Sequence, residues 1–196
     1  MTASLWLGVM GPVALGYQTQ LLVHKIMGFE KPKGWGEQLP NYPVINYNIY
    51  YERNLLDGDH AVKLNGLAYL QLGSLLNTAT AGLNFMISNK KDNNFPDRYY
   101  ITTTNEKFGR LKFFIQLKPM VRFTATNAIL EGGLFQAKNY YHIPSSNLER
   151  FNLILEGNMG IHAKRVSLVC KQTLETPQFK TVHGHTYGSV ILGINF

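Results

Sequence analysis

The chain closes on Tyr187-Gly188-Ser189-Val190-Ile191-Leu192-Gly193-Ile194-Asn195-Phe196. Val190, Leu192, Ile194 and Phe196 occupy every second position, so an extended strand puts all four on one face. A helix would spread the same side chains around its axis. The segment therefore reads as a β-strand with one apolar face, and the same alternation recurs upstream.

From about residue 42 onward the dominant period is two. Candidate strands cover residues 42–53, 61–72, 75–88, 111–124, 129–137, 151–161, 164–173 and 186–196; residues 5–10 bring the count to nine. Most run to roughly 9–14 residues, longer than the usual length of about 5–6 and suited to tilted membrane strands. Short turns fall at 73–74, 125–127 and around His162, and long polar loops at 89–110, 138–150 and 174–185. Short turns on one side and long loops on the other are the habit of an outer-membrane barrel.

The expected fold class is all-β: an antiparallel transmembrane β-barrel of about eight or nine strands, with one short helix in a loop. A strand ending on an aromatic residue resembles the signal by which outer-membrane barrels are recognised for insertion, although a soluble barrel or sandwich can end this way too. Bacterial single-chain barrels have an even strand number. Nine is odd, and would put the helix near residue 20 on the short-turn side. Either one candidate strand is spurious or an early segment folds differently. Residues 1–4 carry no basic n-region of a secretory signal. The chain is therefore expected to begin inside a strand, as a single barrel domain over 1–196 that lacks earlier strands.

Composition narrows the function classes. The chain has 196 residues, 16% of them charged, and a formal charge of +7 that suggests an anionic partner such as phosphate-bearing lipid, nucleic acid or an acidic surface, or else plain basicity, since Lys and Arg are scattered. Its apolar runs are far shorter than the roughly 20 residues a spanning helix needs. The single Cys170 excludes a disulfide framework and a multi-cysteine zinc site. It lies in an alternating run and reads as a strand residue. No Gly-x-Ser-x-Gly elbow, glycine-rich phosphate loop or basic-aromatic motif is present, so a serine hydrolase, a nucleotide enzyme and a nucleic-acid partner have no support.

The exception to the alternation is Gly11-Pro12-Val13-Ala14-Leu15-Gly16-Tyr17-Gln18-Thr19-Gln20-Leu21-Leu22-Val23-His24-Lys25-Ile26-Met27-Gly28-Phe29-Glu30. A helix over about 14–28 stacks Tyr17, Gln20 and His24 on one face, at i, i+3 and i+7. An unperturbed imidazole titrates near pH 6.5, which gives His24 the character of a general base. Gln20, one turn earlier, is placed to orient the ring or an attacking water. Glu30 suits orienting a base, holding a cation, or a plain solvated loop.

With helix and strands in view, the chain resembles the outer-membrane lipid A 3′-O-deacylases, over nearly all of its 196 residues. The resemblance rests on Gly11-Pro12-x-Ala14-Leu15-Gly16, Gln20-x-x-x-His24, Gly34-Trp35-Gly36-Glu37-Gln38-Leu39 and Tyr51-Glu52-Arg53. Weaker matches are Ala79-Thr80-Ala81-Gly82-Leu83, Asn127-Ala128-Ile129-Leu130-Glu131-Gly132, and Phe179 with Tyr187-Gly188-Ser189.

The resemblance implies a twelve-stranded barrel with its active site between the wall and a helix from an extracellular loop. It implies hydrolysis of the 3′-linked acyloxyacyl ester of lipid A, by a histidine that activates water while calcium stabilises the oxyanion. His24 matches the base, and Gln20 and Glu30 match polar active-site positions. The family's Asn-Asp pair, hydroxyl residue and lysine match nothing here. They are expected upstream of Met1, which leaves the metal ligands unassigned.

The implied setting is the outer membrane of a Gram-negative bacterium, with lipid A or lipopolysaccharide as partner and the protein a monomer. Lys25 and Lys33, with Lys31, are candidates for the phosphates of lipid A. Trp35 suits an acyl pocket or the interfacial aromatic girdle. His183-Gly184-His185 reads as loop, and Glu52–Arg53 as a lumenal ion pair. The 196-residue chain on its own is expected to be inactive. The competing readings are a non-catalytic outer-membrane barrel and a soluble lipid-binding barrel.

Overall fold

Among the described residues, eight antiparallel strands follow one another in chain order across one sheet. The computed structural model describes residues 1–37, 39–57, 62–89, 111–133, 142–163 and 166–194. The strands are β1 (Thr2–Met10), β2 (Tyr42–Asp57), β3 (Val62–Gly73), β4 (Leu76–Ser88), β5 (Lys112–Asn127), β6 (Phe151–Ala163), β7 (Val166–Glu175) and β8 (His185–Ile194). Helix α1 (Gly16–Met27) lies in the β1–β2 connection, close to its expected bounds, and a four-residue helix α2 (Ala128–Glu131) follows β5. Among the described residues β1 and β8 form the two edges of the sheet.

The alternation read from the sequence survives, but its sense is inverted relative to a water-soluble sheet. On β5, Ile115 is 55% exposed while Gln116 is 8% exposed. Leu117 then faces out and Lys118 in. Leu153 and Leu155 do the same on β6, between Asn152 and Glu156 on the inner face. Withdrawing one such Leu or Ile from water is worth about 1.5–3 kcal/mol, so a continuous outer belt of them needs an apolar solvent. Lipid is that solvent, and the hydrogen-bonded inner face is the polar lumen.

Charges on the inner face are paired across strands. Glu156 receives Lys118 at 3.8 Å and Lys171 from the neighbouring strand. Arg122 bonds Glu175 at 2.9 Å. Glu52 accepts from Asn65 and Asn84, each at 2.7 Å, and from the Tyr50 hydroxyl. The expected Glu52–Arg53 pair does not form. Successive residues of a strand point to opposite faces, so Arg53 is turned to the outside. Cys170 is a strand residue as expected, on the outer face opposite Val190.

The ninth candidate strand, 129–137, is corrected. Residues 128–131 form α2, because Asn127 caps it: its side chain accepts from the Ile129 N–H at 3.0 Å. Glu131 returns a bond to the Asn127 N–H at 3.3 Å. Such reciprocal capping outcompetes a strand over so short a stretch. Residues 134–137 lie outside the described residues.

With eight strands the meander places the connections 11–41, 74–75, 128–150 and 176–184 at one end of the sheet. The α1 segment thus sits at the end opposite Ile194, together with the long connections 128–150 and 176–184 and the short turn 74–75. The segment joining β4 to β5, expected with the other long loops, leaves from the opposite end. His185 opens β8, so the His183–His185 loop ends at its last residue.

Candidate active site

Two left-handed residues define α1. Leu15 adopts φ 58° just before the helix, and its carbonyl accepts from the Thr19 N–H and hydroxyl, both at 3.0 Å. Gly28 ends the helix at φ 72°, a conformation that costs L-residues with a Cβ. Its N–H and that of Phe29, the latter at 2.8 Å, both bond the His24 carbonyl. The chain therefore doubles back over the last turn and carries the Glu30 carbonyl oxygen to 2.6 Å from His24 Nδ1. Phe29 sets its ring against the imidazole edge to face, 5.7 Å between centroids.

A second tether comes from the turn at Trp35–Glu37. Trp35 donates its indole N–H to Gln20 Oε1 at 2.7 Å. The indole lies on the start of α1, where Gly16 leaves room: a Cβ there would come within 2.8 Å of the ring. Tyr17 packs beside it, 5.9 Å between ring centroids. Gln20 Nε2 then stands 3.3 Å from His24 Nε2.

The partners assign the donors. Indole N–H only donates, so Gln20 Oε1 is the acceptor and its –NH2 faces His24. A carbonyl only accepts, so His24 Nδ1 carries the hydrogen bonded to Glu30. The lone pair of the neutral ring is then on Nε2, beside the Gln20 amide. A ring with one nitrogen fixed by a third group and a lone pair on the other has the arrangement that nucleophile-activating histidines require. Leu22 and Ile26, on the far side of α1, are exposed.

His24, Gln20, Glu30 and Trp35 are brought together. Glu30 contributes its backbone carbonyl rather than its carboxylate, and Trp35 bonds Gln20 instead of simply lining a pocket. Lys25 and Lys33 are exposed and do not join the cluster. Phe29 was overlooked by sequence reasoning, although a glycine directly after the last apolar turn of a helix signals the chain reversal that places it.

The calcium expected from the resemblance does not find its ligands here. Calcium takes about 6–8 oxygens, and the described residues contain no group of three or more His, Cys, Asp or Glu that fits an ion. Gln20 Oε1 and the Glu30 carbonyl are already committed to Trp35 and His24.

An inside-out antiparallel sheet, carrying at one end a helix with an oriented histidine, defines an outer-membrane β-barrel protein. More narrowly, the chain belongs to the outer membrane protein LpxR family, whose model matches residues 1–196. A solved structure of LpxR from Salmonella typhimurium is similar in fold, with a TM-score of 0.72 and 21% sequence identity. That match covers 99% of this chain and 66% of the Salmonella chain, so this chain spans just under two thirds of that protein's length. No curated protein matches the chain in sequence.

Proposed function

We propose that the protein is a lipid A 3′-O-deacylase that hydrolyses the 3′-linked acyloxyacyl ester with His24 as general base. The observation that carries the reading is the double tether of the ring, to the Glu30 carbonyl at 2.6 Å and to the Gln20 amide at 3.3 Å. It leaves Nε2 as the basic atom. A water that takes the place of the Gln20 N–H, 3.3 Å away, at the Nε2 lone pair gives up a proton there as its oxygen attacks the ester carbonyl. The tetrahedral intermediate then collapses, and the imidazolium returns the proton to the departing sugar 3′ oxygen. The products are the free acyloxyacyl acid and the 3′-hydroxyl.

The setting supports an outer-leaflet lipid substrate. The apolar belt fixes the sheet in the membrane, α1 lies at one end of it, and Lys25, Lys31 and Lys33 put positive charge beside the helix for lipid A phosphates. Family membership supports hydrolase chemistry. In this reading the barrel is completed by strands beyond the eight described and the protein works as a monomer.

Calcium, implied by the family resemblance, would stabilise the oxyanion when bound, and the described residues do not form its site. That thin donor set favours one second reading, a non-catalytic barrel of the same family. Incubating the protein with lipid A in mixed micelles and weighing the products decides between them. The complete barrel should release the 3′ acyl group and His24→Ala should slow release by roughly 10²- to 10⁴-fold. The 196-residue chain alone should be inactive. Full activity in His24→Ala overturns the assignment of the base.

A further inference from the structure

We propose that Trp35 is a positioning residue that sets the hydrogen-bonding sense of Gln20, and through it the protonation form of His24. The inference rests on the function proposed above only for its kinetic readout. A side-chain amide has oxygen and –NH2 ends of nearly the same shape, and turning it over costs little unless a neighbour distinguishes them. Gln20 has a discriminating neighbour: the Trp35 indole, which only donates, at 2.7 Å from Oε1. With Oε1 held there, the –NH2 end is directed at His24 Nε2, 3.3 Å away.

An N–H aimed at Nε2 suits a lone pair on that nitrogen and opposes a second proton on the ring. If the amide turns over, Oε1 faces Nε2 and welcomes that proton, while Nδ1–H stays on the Glu30 carbonyl at 2.6 Å. Trp35 therefore keeps an N–H, rather than a carbonyl oxygen, facing the Nε2 lone pair. Among the described residues the polar groups bonded to the ring are the Gln20 amide and the Glu30 carbonyl, and the Phe29 ring covers its edge. The titratable side chains nearest in the chain, Lys25 and Glu30, do not bond to it.

Gly16 belongs to the same device. A Cβ at this position would sit 2.8 Å from Trp35 Cη2 and 3.1 Å from Cζ3, so the indole reaches Gln20 only over a glycine. Gly16→Ala should push the indole off its acceptor without touching any hydrogen-bonding group. It supplies a second, independent way to release the amide.

The test uses ¹⁵N spectra of the histidine side chains in detergent micelles, with the His24 signals identified by their loss in His24→Asn. Wild type should show Nδ1–H with a bare Nε2. In Trp35→Phe and in Gly16→Ala, Nε2 should remain protonated to a pH higher by about one unit, the worth of one redirected hydrogen bond. Where deacylation is measurable, the acid limb of the pH–rate profile should move by the same amount with KM unchanged. A residue that merely lined an acyl pocket would raise KM and leave the profile in place. Identical ring titrations in wild type and both variants overturn the inference, whatever the activity. Altered titrations in a protein without deacylase activity uphold it and remove the function instead.

Discussion

His24 Nδ1 stands 2.6 Å from the backbone carbonyl oxygen of Glu30, six residues on, across the turn made by Gly28. A backbone group, not a carboxylate, orients the ring. Glu30→Ala should therefore leave the His24 ring in its Nδ1–H form. Histidine ¹⁵N spectra check this, and a switch to Nε2–H would show that the carboxylate does the orienting.

Gly28 makes that contact possible. Nothing lies within 4 Å of where its Cβ would be, so Gly28→Ala meets no clash and isolates the backbone cost of φ 72°. That cost is about 1–2 kcal/mol for an L-residue. Hydrogen exchange at the Phe29 amide, bonded to the His24 carbonyl at 2.8 Å, should accelerate roughly 5- to 30-fold, with the strand amides unchanged.

Beyond α2, Arg150 clamps Glu131 with two bonds, 2.5 and 3.1 Å, and also reaches the Ala125 carbonyl at 2.9 Å. Arg150→Ala leaves a half-buried carboxylate without its partner, at a cost of about 1–3 kcal/mol. Urea titration of the folded barrel in vesicles should show a lower midpoint, and the double variant Arg150→Ala, Glu131→Ala should recover part of the loss.

The inverted sheet makes a directional prediction on adjacent residues. Ile115→Arg puts a charge on the lipid face and should destabilise insertion into vesicles by about 2–4 kcal/mol if it lies near the midplane. Gln116→Arg, facing the lumen, should cost less. The opposite ranking would mean that the outer and inner faces are exchanged.

Calcium offers a fifth check. With no group of three or more His, Cys, Asp or Glu fitted to an ion among the described residues, millimolar calcium should leave the His24 ring signals and the Tm of the 196-residue chain unchanged. A saturable shift in either would reveal a site formed with Glu30 or with residues outside those described.

Period two is a local property, and it was legible wherever one face of a strand is apolar and the next residue polar. Val190, Leu192 and Ile194 line the outer face as the sequence implies. The helix over Gly16–Met27 and its Tyr17, Gln20, His24 stripe were legible for the same reason, since spacing along a chain dictates which side chains share a face.

Other features depended on contacts between distant residues. The alternation at 129–137 matched a strand until Asn127 and Glu131 closed a cap, a competition settled by hydrogen bonds rather than by pattern. Glu52 and Arg53 looked like a pair because they are neighbours in the chain, and the pleat separates them. The sequence by itself determined an alternating all-β chain with one polar-striped helix. Only the tertiary structure decided that Trp35 would reach back fifteen residues to Gln20. That contact depends on a fold of the chain between them, which no local spacing encodes.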